Sequence, residues 1–172
     1  EAYGIDAEEG FDRARNIILP AVAHFDTTGD ERLRMAALMT LSNVLNHSGD
    51  TEGSRKVNSD IFLIAKRIAD RKMMARSLTS TGSNYIKDGS FKQAIPILDS
   101  ALAMCRAASM GSMMASVMYR LSYAHKQLGH YPEALDYMEQ RNILRDSLSG
   151  ETTFRSIGIV EAEHRYAETA LA

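Results

Sequence analysis

The chain has 172 residues, 45% of them hydrophobic and 24% charged, with 20 basic residues set against 22 acidic ones. That balance belongs to an ordinary soluble domain rather than a disordered chain, and it lacks the basic excess that neutralising phosphates requires, so nucleic acid is not expected as a partner of this segment. The single cysteine, Cys105, cannot form an internal disulfide, and no apolar run reaches the length of a membrane span.

Taken in order, the chain reads as a series of amphipathic helices. Phe11, Ala14, Ile18, Ala21, Val22 and Phe25 recur at helical spacing, and Thr27 to Asp30 break the pattern, which predicts a lone second helix over 11–25. Asp30 can cap a helix running to about His47, with Leu33, Ala37, Leu38, Leu41, Val44 and Leu45 as its apolar stripe. Gly49 and Asp50 end it, and a partner helix places Val57, Ile61, Ile64, Ala65 and Ile68 on one face, completing a hairpin over 31–69. Asp70 caps a second hairpin over 71–108, whose turn is Asp88 to Ser90, with Ser90 and Gln93 spaced as a capping box. The third hairpin covers 112–148, with Gly129 and His130 at its turn and Pro132 in the first turn of its second helix, where a missing donor costs little. Pro20 and Pro96 lie deeper and are expected to bend their helices. After Ser149 and Gly150, a segment over 151–170 carries Phe154, Ile157, Ile159, Ala162, Tyr166 and Ala170 and is expected as a separate capping helix. No period-two stretch of β-branched residues occurs, so the expected class is all-α in one domain over 1–172.

These elements repeat. Phe11, Thr51, Phe91 and Tyr131 are forty residues apart, as are Gly49, Gly89 and Gly129, and Ala14, Ser54, Ala94 and Ala134. A period of this size means stacked hairpins, none able to bury its apolar face without its neighbours, so function lies in a surface. Glu1 is not a Met and falls mid-repeat, as in a piece of a longer protein.

In the second unit, Gly82, Tyr85, Gly89, Phe91, Ala94, Leu98 and Ala101 stand in a spacing that resembles the tetratricopeptide repeat (TPR) signature. The third unit keeps Leu121, Gly129, Tyr131, Ala134 and Met138, while the first is aligned by period more than by identity. The resemblance covers about residues 11 to 148 and implies an α-solenoid, a right-handed superhelix of antiparallel hairpins. Its period exceeds the family's usual ~34 residues, as in bacterial regulatory members. The run Arg145 to Leu148 followed by Ile159 to Tyr166 also resembles the end of sensor repeats in membrane-bound regulators of Bacteroidetes, which implies a periplasmic placement.

In such stacks the first helix of each hairpin lines the concave face. The implied ligand-facing positions are Met39, Asn43, Asn46 and His47, then Arg76, Thr79, Ser83 and Lys87, then Ser116, Tyr119, Tyr123 and Lys126. Tyr119 and Tyr123, one turn apart, suit peptide anchors, although tyrosines at that spacing also serve in packing between repeats. Arg76, Lys87 and Lys126 could receive a carboxylate or simply be solvated. The chaperone-tail clamp of the family is not expected, because its positions hold Met39, Asn43, Ser80, Ser116 and Arg120 and lack the lysines. Met110, Met113, Met114 and Met118 are expected in packing rather than on a soft metal. His24, His47, His125, His130 and His164 show no pairing at ligand spacing, and Cys105 has no CxxC partner, so neither a metal nor a cofactor is expected. No catalytic motif occurs.

The expected function is therefore a noncatalytic domain binding a protein, a peptide or a small ligand, as the sensory part of a bacterial signalling or transcription regulator. The alternative is a cytoplasmic scaffold or adaptor between proteins, with homodimer formation through an exposed terminal repeat as a variant.

Overall fold

The computed structural model describes the backbone of residues 2–170 and the side chains of residues 9–150. Seven helices follow one another: α1 (Ala2–Thr28), α2 (Glu31–Ser48), α3 (Thr51–Arg67), α4 (Arg71–Lys87), α5 (Phe91–Ala107), α6 (Gly111–Gln127) and α7 (Tyr131–Ala170). Each packs on the next, and α4 also touches α6, while among the described residues no contact of similar extent joins α3 to α5 or α5 to α7. The first helices of the second and third hairpins therefore lie on the inner side of the stack.

The turns explain the regularity. Every twentieth residue from Gly29 to Gly129 adopts a left-handed conformation: Gly29, Gly49, Ala69, Gly89, Ser109 and Gly129. At Ala69, Gly89, Ser109 and Gly129 the next amide donates back to the carbonyl five residues before it, as in Asp70 N to Ala65 O at 2.8 Å and His130 N to His125 O at 3.0 Å, which closes the helix end. Asp30, Asp50 and Asp70 then start the next helices by accepting from Leu33, Gly53 and Met73 amides. Ser90 departs from the expected capping box: its side chain makes no cap bond, and its carbonyl instead accepts from the Gln93 and Ala94 amides.

Two apolar clusters form the core. One joins Met35 and Leu38 of α2 to Ile61, Ile64 and Ala65 of α3; the other joins Ala94, Leu98, Ala101 and Leu102 of α5 to Val117, Met118 and Leu121 of α6. Between them runs a buried polar seam. Ser42 Oγ donates to Asn58 Oδ1 at 3.0 Å and pairs with Ser54 Oγ, which also accepts from Asn84 Nδ2 at 2.9 Å; Asn46 Nδ2 donates to Asn84. These partners keep the buried amides and hydroxyls from costing stability. Met118 is buried and Met113 and Met114 pack on the second cluster, the structural role expected for them.

Several expectations are corrected. The helix from Tyr131 runs through Ser149 and Gly150 to Ala170 without a break, so 151–170 is not a separate capping helix. A lone glycine costs a helix interior only ~1 kcal/mol against Ala, too little to end it where no proline follows. Phe154, Ile157, Ile159, Ala162, Tyr166 and Ala170 lie outside the described side chains. Helix α1 extends back to Ala2, beyond the 11–25 segment. Helices continue through Pro20 and Pro96; both prolines are exposed, so water can serve the carbonyl each leaves unpaired. Leu33 is 48% exposed rather than part of the core stripe. His125 and His130, expected to be unpaired, lie with ring centroids 5.7 Å apart, and His125 stacks on Tyr137. Among the described residues no group of His, Cys, Asp or Glu is arranged to hold a metal, and no helix is long and apolar enough to cross a membrane.

Candidate functional site

The inner helices differ in charge from the rest of the chain. Helix α4 carries Arg71, Lys72, Arg76 and Lys87 and no Asp or Glu; α6 carries Arg120 and Lys126 and again no acid. The formal charge of −2 is thus an average over a basic inner face and acidic remainder, and a face of one sign concentrates field on what approaches it.

Along this face the expected residues fall into adjoining hollows. Asn43, Asn46, Thr79 and Ser83 line a recess of about 180 Å³ together with Ser80, Asn84 and Arg120. Ser83, Lys87, Tyr119 and Tyr123 line a larger one, about 430 Å³, with Ile86 and Arg120. Ser116 and Tyr119 reach a third of about 600 Å³, shared with Arg141 and Arg145 of α7. Met39, Asn43 and Arg76 border a small hollow of about 40 Å³. His47 and Lys126 lie outside these four; the His47 ring meets the Asn43 carbonyl through Nδ1 at 2.7 Å.

Their chemistry is uneven. Thr79 Oγ1 donates to the Ala75 carbonyl and Ser83 Oγ to the Thr79 carbonyl, so both hydroxyl protons are committed to the helix. Lys87 Nζ donates to the Asn46 carbonyl, bridging α4 to α2. Tyr119 and Tyr123 remain 49% and 40% exposed, so part of each ring is open to solvent. Tyr123 meets Phe91 edge-on at 6.1 Å, and the Arg141 guanidinium sits 5.2 Å over the Tyr119 ring.

The residue at the junction is Arg120, which lines two of the hollows. Its Nε donates to Ser83 Oγ at 2.5 Å, and its Nη1 to the Ser116 carbonyl at 2.9 Å and Ser116 Oγ at 2.5 Å. Burial pushes its pKa below the ordinary guanidinium value, opposed by Tyr119. Among the described residues no carboxylate pairs with Arg120, Arg76, Lys87, Lys126, Arg141 or Arg145, whereas Arg55 on α3 is paired with Glu52 and Asp88. A half-buried guanidinium oriented by hydroxyls, with no carboxylate among the described residues beside it, has the chemistry to donate to an anionic oxygen. Reading the sequence placed Arg120 only at a clamp position and missed Arg141 and Arg145; the signal that was available is the absence of any acid in α4 and α6.

No protein-family model matches the sequence, and no curated protein matches it either. Solved structures do. The apo form of RapI superposes with a TM-score of 0.73 at 18% identity, over 85% of this chain and 58% of that one. BtubC (BKLC) from P. vanneervenii superposes at 0.71 and 15%, over 82% and 59%. Nearly identical TPR-like repeats of a Podospora anserina kinesin light chain superpose at 0.67 and 16%, over 81% and 68%. The fold is a TPR-like α-solenoid. This chain spans a little under three fifths of the length of RapI and BtubC, and at such identities the TPR-like likeness is one of fold.

Proposed function

We propose that this TPR-like domain is noncatalytic and binds a peptide segment bearing carboxylates along the face formed by α2, α4 and α6. The observation that carries this reading is Arg120, held by Ser83 and Ser116 without an acidic partner among the described residues, between two helices that contain no acid. Tyr119 and Tyr123 supply rigid contact area beside it, and Arg76, Lys87, Arg141 and Arg145 supply the longer-range attraction.

The same geometry supports the role of sensor in a bacterial signalling or transcription regulator, with the extracytoplasmic placement that the Bacteroidetes resemblance implies. A ligand in the hollow over Ser116 and Tyr119 touches Arg141 and Arg145, and these stand on α7, one unbroken helix of 40 residues. Binding energy that differs between two angles of α7 against α6 would be carried along the helix as a shift in population. The test is fluorescence anisotropy with a short labelled peptide rich in Asp and Glu and its Asn/Gln isostere. The acidic peptide should bind more tightly, and raising the salt from about 50 to 300 mM should weaken it through screening. Equal affinity for both peptides, or no salt dependence, would sink the reading.

A further inference from the structure

The forty-residue register allows the same place between successive hairpins to be compared along the stack. Where α5 meets α6, that place is filled by Leu98, Leu102, Val117, Met118 and Leu121, none more than 4% exposed, in one apolar cluster. Forty residues earlier, at the junction of α3 and α4, the corresponding residues are Asn58, Phe62, Ser77, Leu78 and Thr81. Forty residues before that, Leu38 and Leu41 occupy the places of Leu78 and Thr81 and are again buried. The middle junction alone has an amide and two hydroxyls where its neighbour has Leu98, Val117 and Leu121.

The consequence is a hollow. A cleft of about 370 Å³ opens between α3 and α4, lined by Asn58, Ser77 and Thr81 on its polar side and by Phe62, Leu78 and Tyr85 on its apolar side. That volume falls within the range of small-molecule sites, and the accessible wall is more apolar than polar in area, although Glu52, Arg55, Lys56 and Ser59 also border it. The charges at its rim are already matched, since Arg55 lies 4.7 Å over the Tyr85 ring and is paired with Asp88 and Glu52. Asn58 is 3% exposed; its Oδ1 is satisfied by Ser42, but its Nδ2 has only a 3.5 Å contact to Ser54 Oγ, so its two donors are nearly unspent.

We propose that this cleft is a second site, distinct from the peptide groove, for a small neutral molecule with a planar ring and a hydrogen-bond acceptor. The ring lies against Phe62 and Tyr85, and the acceptor takes the Asn58 amide proton. Asn58 and Ser77 also border the small hollow beside Met39 and Arg76, so an occupant of the cleft shares a wall with the inner face.

Benzamide is a suitable probe, titrated into the isotope-labelled chain and followed by amide and side-chain NMR shifts. Saturable shifts at Asn58, Ser77 and Thr81 with a Kd on the order of 1 mM are expected for so small a ligand. The double variant S77V/T81L restores the residues found forty positions later; it should weaken benzamide at least about tenfold and unfold at a higher temperature. T81L alone, a milder filling, should weaken it by a smaller factor. Absence of saturable shifts in the wild type, or undiminished binding by folded T81L, overturns the proposal. Neither readout involves the acidic peptide, so this site and the groove can fail separately.

Discussion

Replacing Arg120 by Met separates binding from stability. The guanidinium gives three hydrogen bonds, to Ser83 Oγ, Ser116 Oγ and the Ser116 carbonyl, each worth ~1.5–3 kcal/mol when charged. Against them stands the desolvation of a half-buried cation with no counterion among the described residues, which costs several kcal/mol, and exchange of buried charge for an apolar side chain of similar volume is often neutral. Ser83 keeps its bond to Thr79 after the change. The two sides nearly cancel, so the stability of R120M should stay within about 1 kcal/mol of wild type, a shift of a few degrees in Tm. Acidic-peptide affinity should behave differently. Removing one member of a buried charge pair costs ~2–5 kcal/mol, or roughly thirtyfold to several thousandfold in Kd. R120K keeps the charge but loses the planar fork and should fall between. Thermal unfolding by circular dichroism and anisotropy on the same preparations measure both quantities. A Tm lower by ten degrees or so would make Arg120 a structural residue, and unchanged peptide binding would refute its role in the groove.

Two further outcomes follow from the packing. A Cβ on Gly82 would stand 2.6 Å from Leu98 Cγ and Cδ2, and Leu98 is fully buried. G82A should therefore lose ~0–2 kcal/mol, the ~1–3 of overpacking less the ~1 gained in helix propensity; a double cycle with L98A should remove the penalty, and a Tm that rises instead would disprove the close approach. Burial, with Asp99 accepting from its hydroxyl, pushes Tyr137 up to about 12. Because its folded pKa lies above the unfolded value of ~10, its contribution is complete below pH 10 and is lost as pH climbs from there towards 12. Y137F should flatten unfolding midpoints across that window, and an equal alkaline decline in both proteins would remove Tyr137 as the cause.

Much of the fold was legible because its signals are local. Gly49, Gly89 and Gly129 mark left-handed turns and Asp30, Asp50 and Asp70 mark helix starts, so the limits of α2 to α6 are written within a few residues of each turn. Ser149 and Gly150 resemble another such turn in sequence, but neither adopts the left-handed conformation of the real turns, and α7 runs on. The site was legible only as a set of positions. That Ser83 would hold Arg120, 37 residues away, and that Arg141 would cover Tyr119 depends on which faces meet.

The sequence by itself determined the forty-residue period, the helical class and the absence of acid from α4 and α6, since each is a property of residue type and spacing along one segment. Only the tertiary structure decided that those two helices touch on the inner side, that Arg120 sits there half-buried with no counterion among the described residues, and that Asn58, Ser77 and Thr81 leave space where leucines and valine fill it one repeat later. The reason is physical. Turn and helix propensities act between near neighbours, whereas desolvation and cavity volume belong to surfaces brought together from helices tens of residues apart, and they acquire a value only when the stack closes.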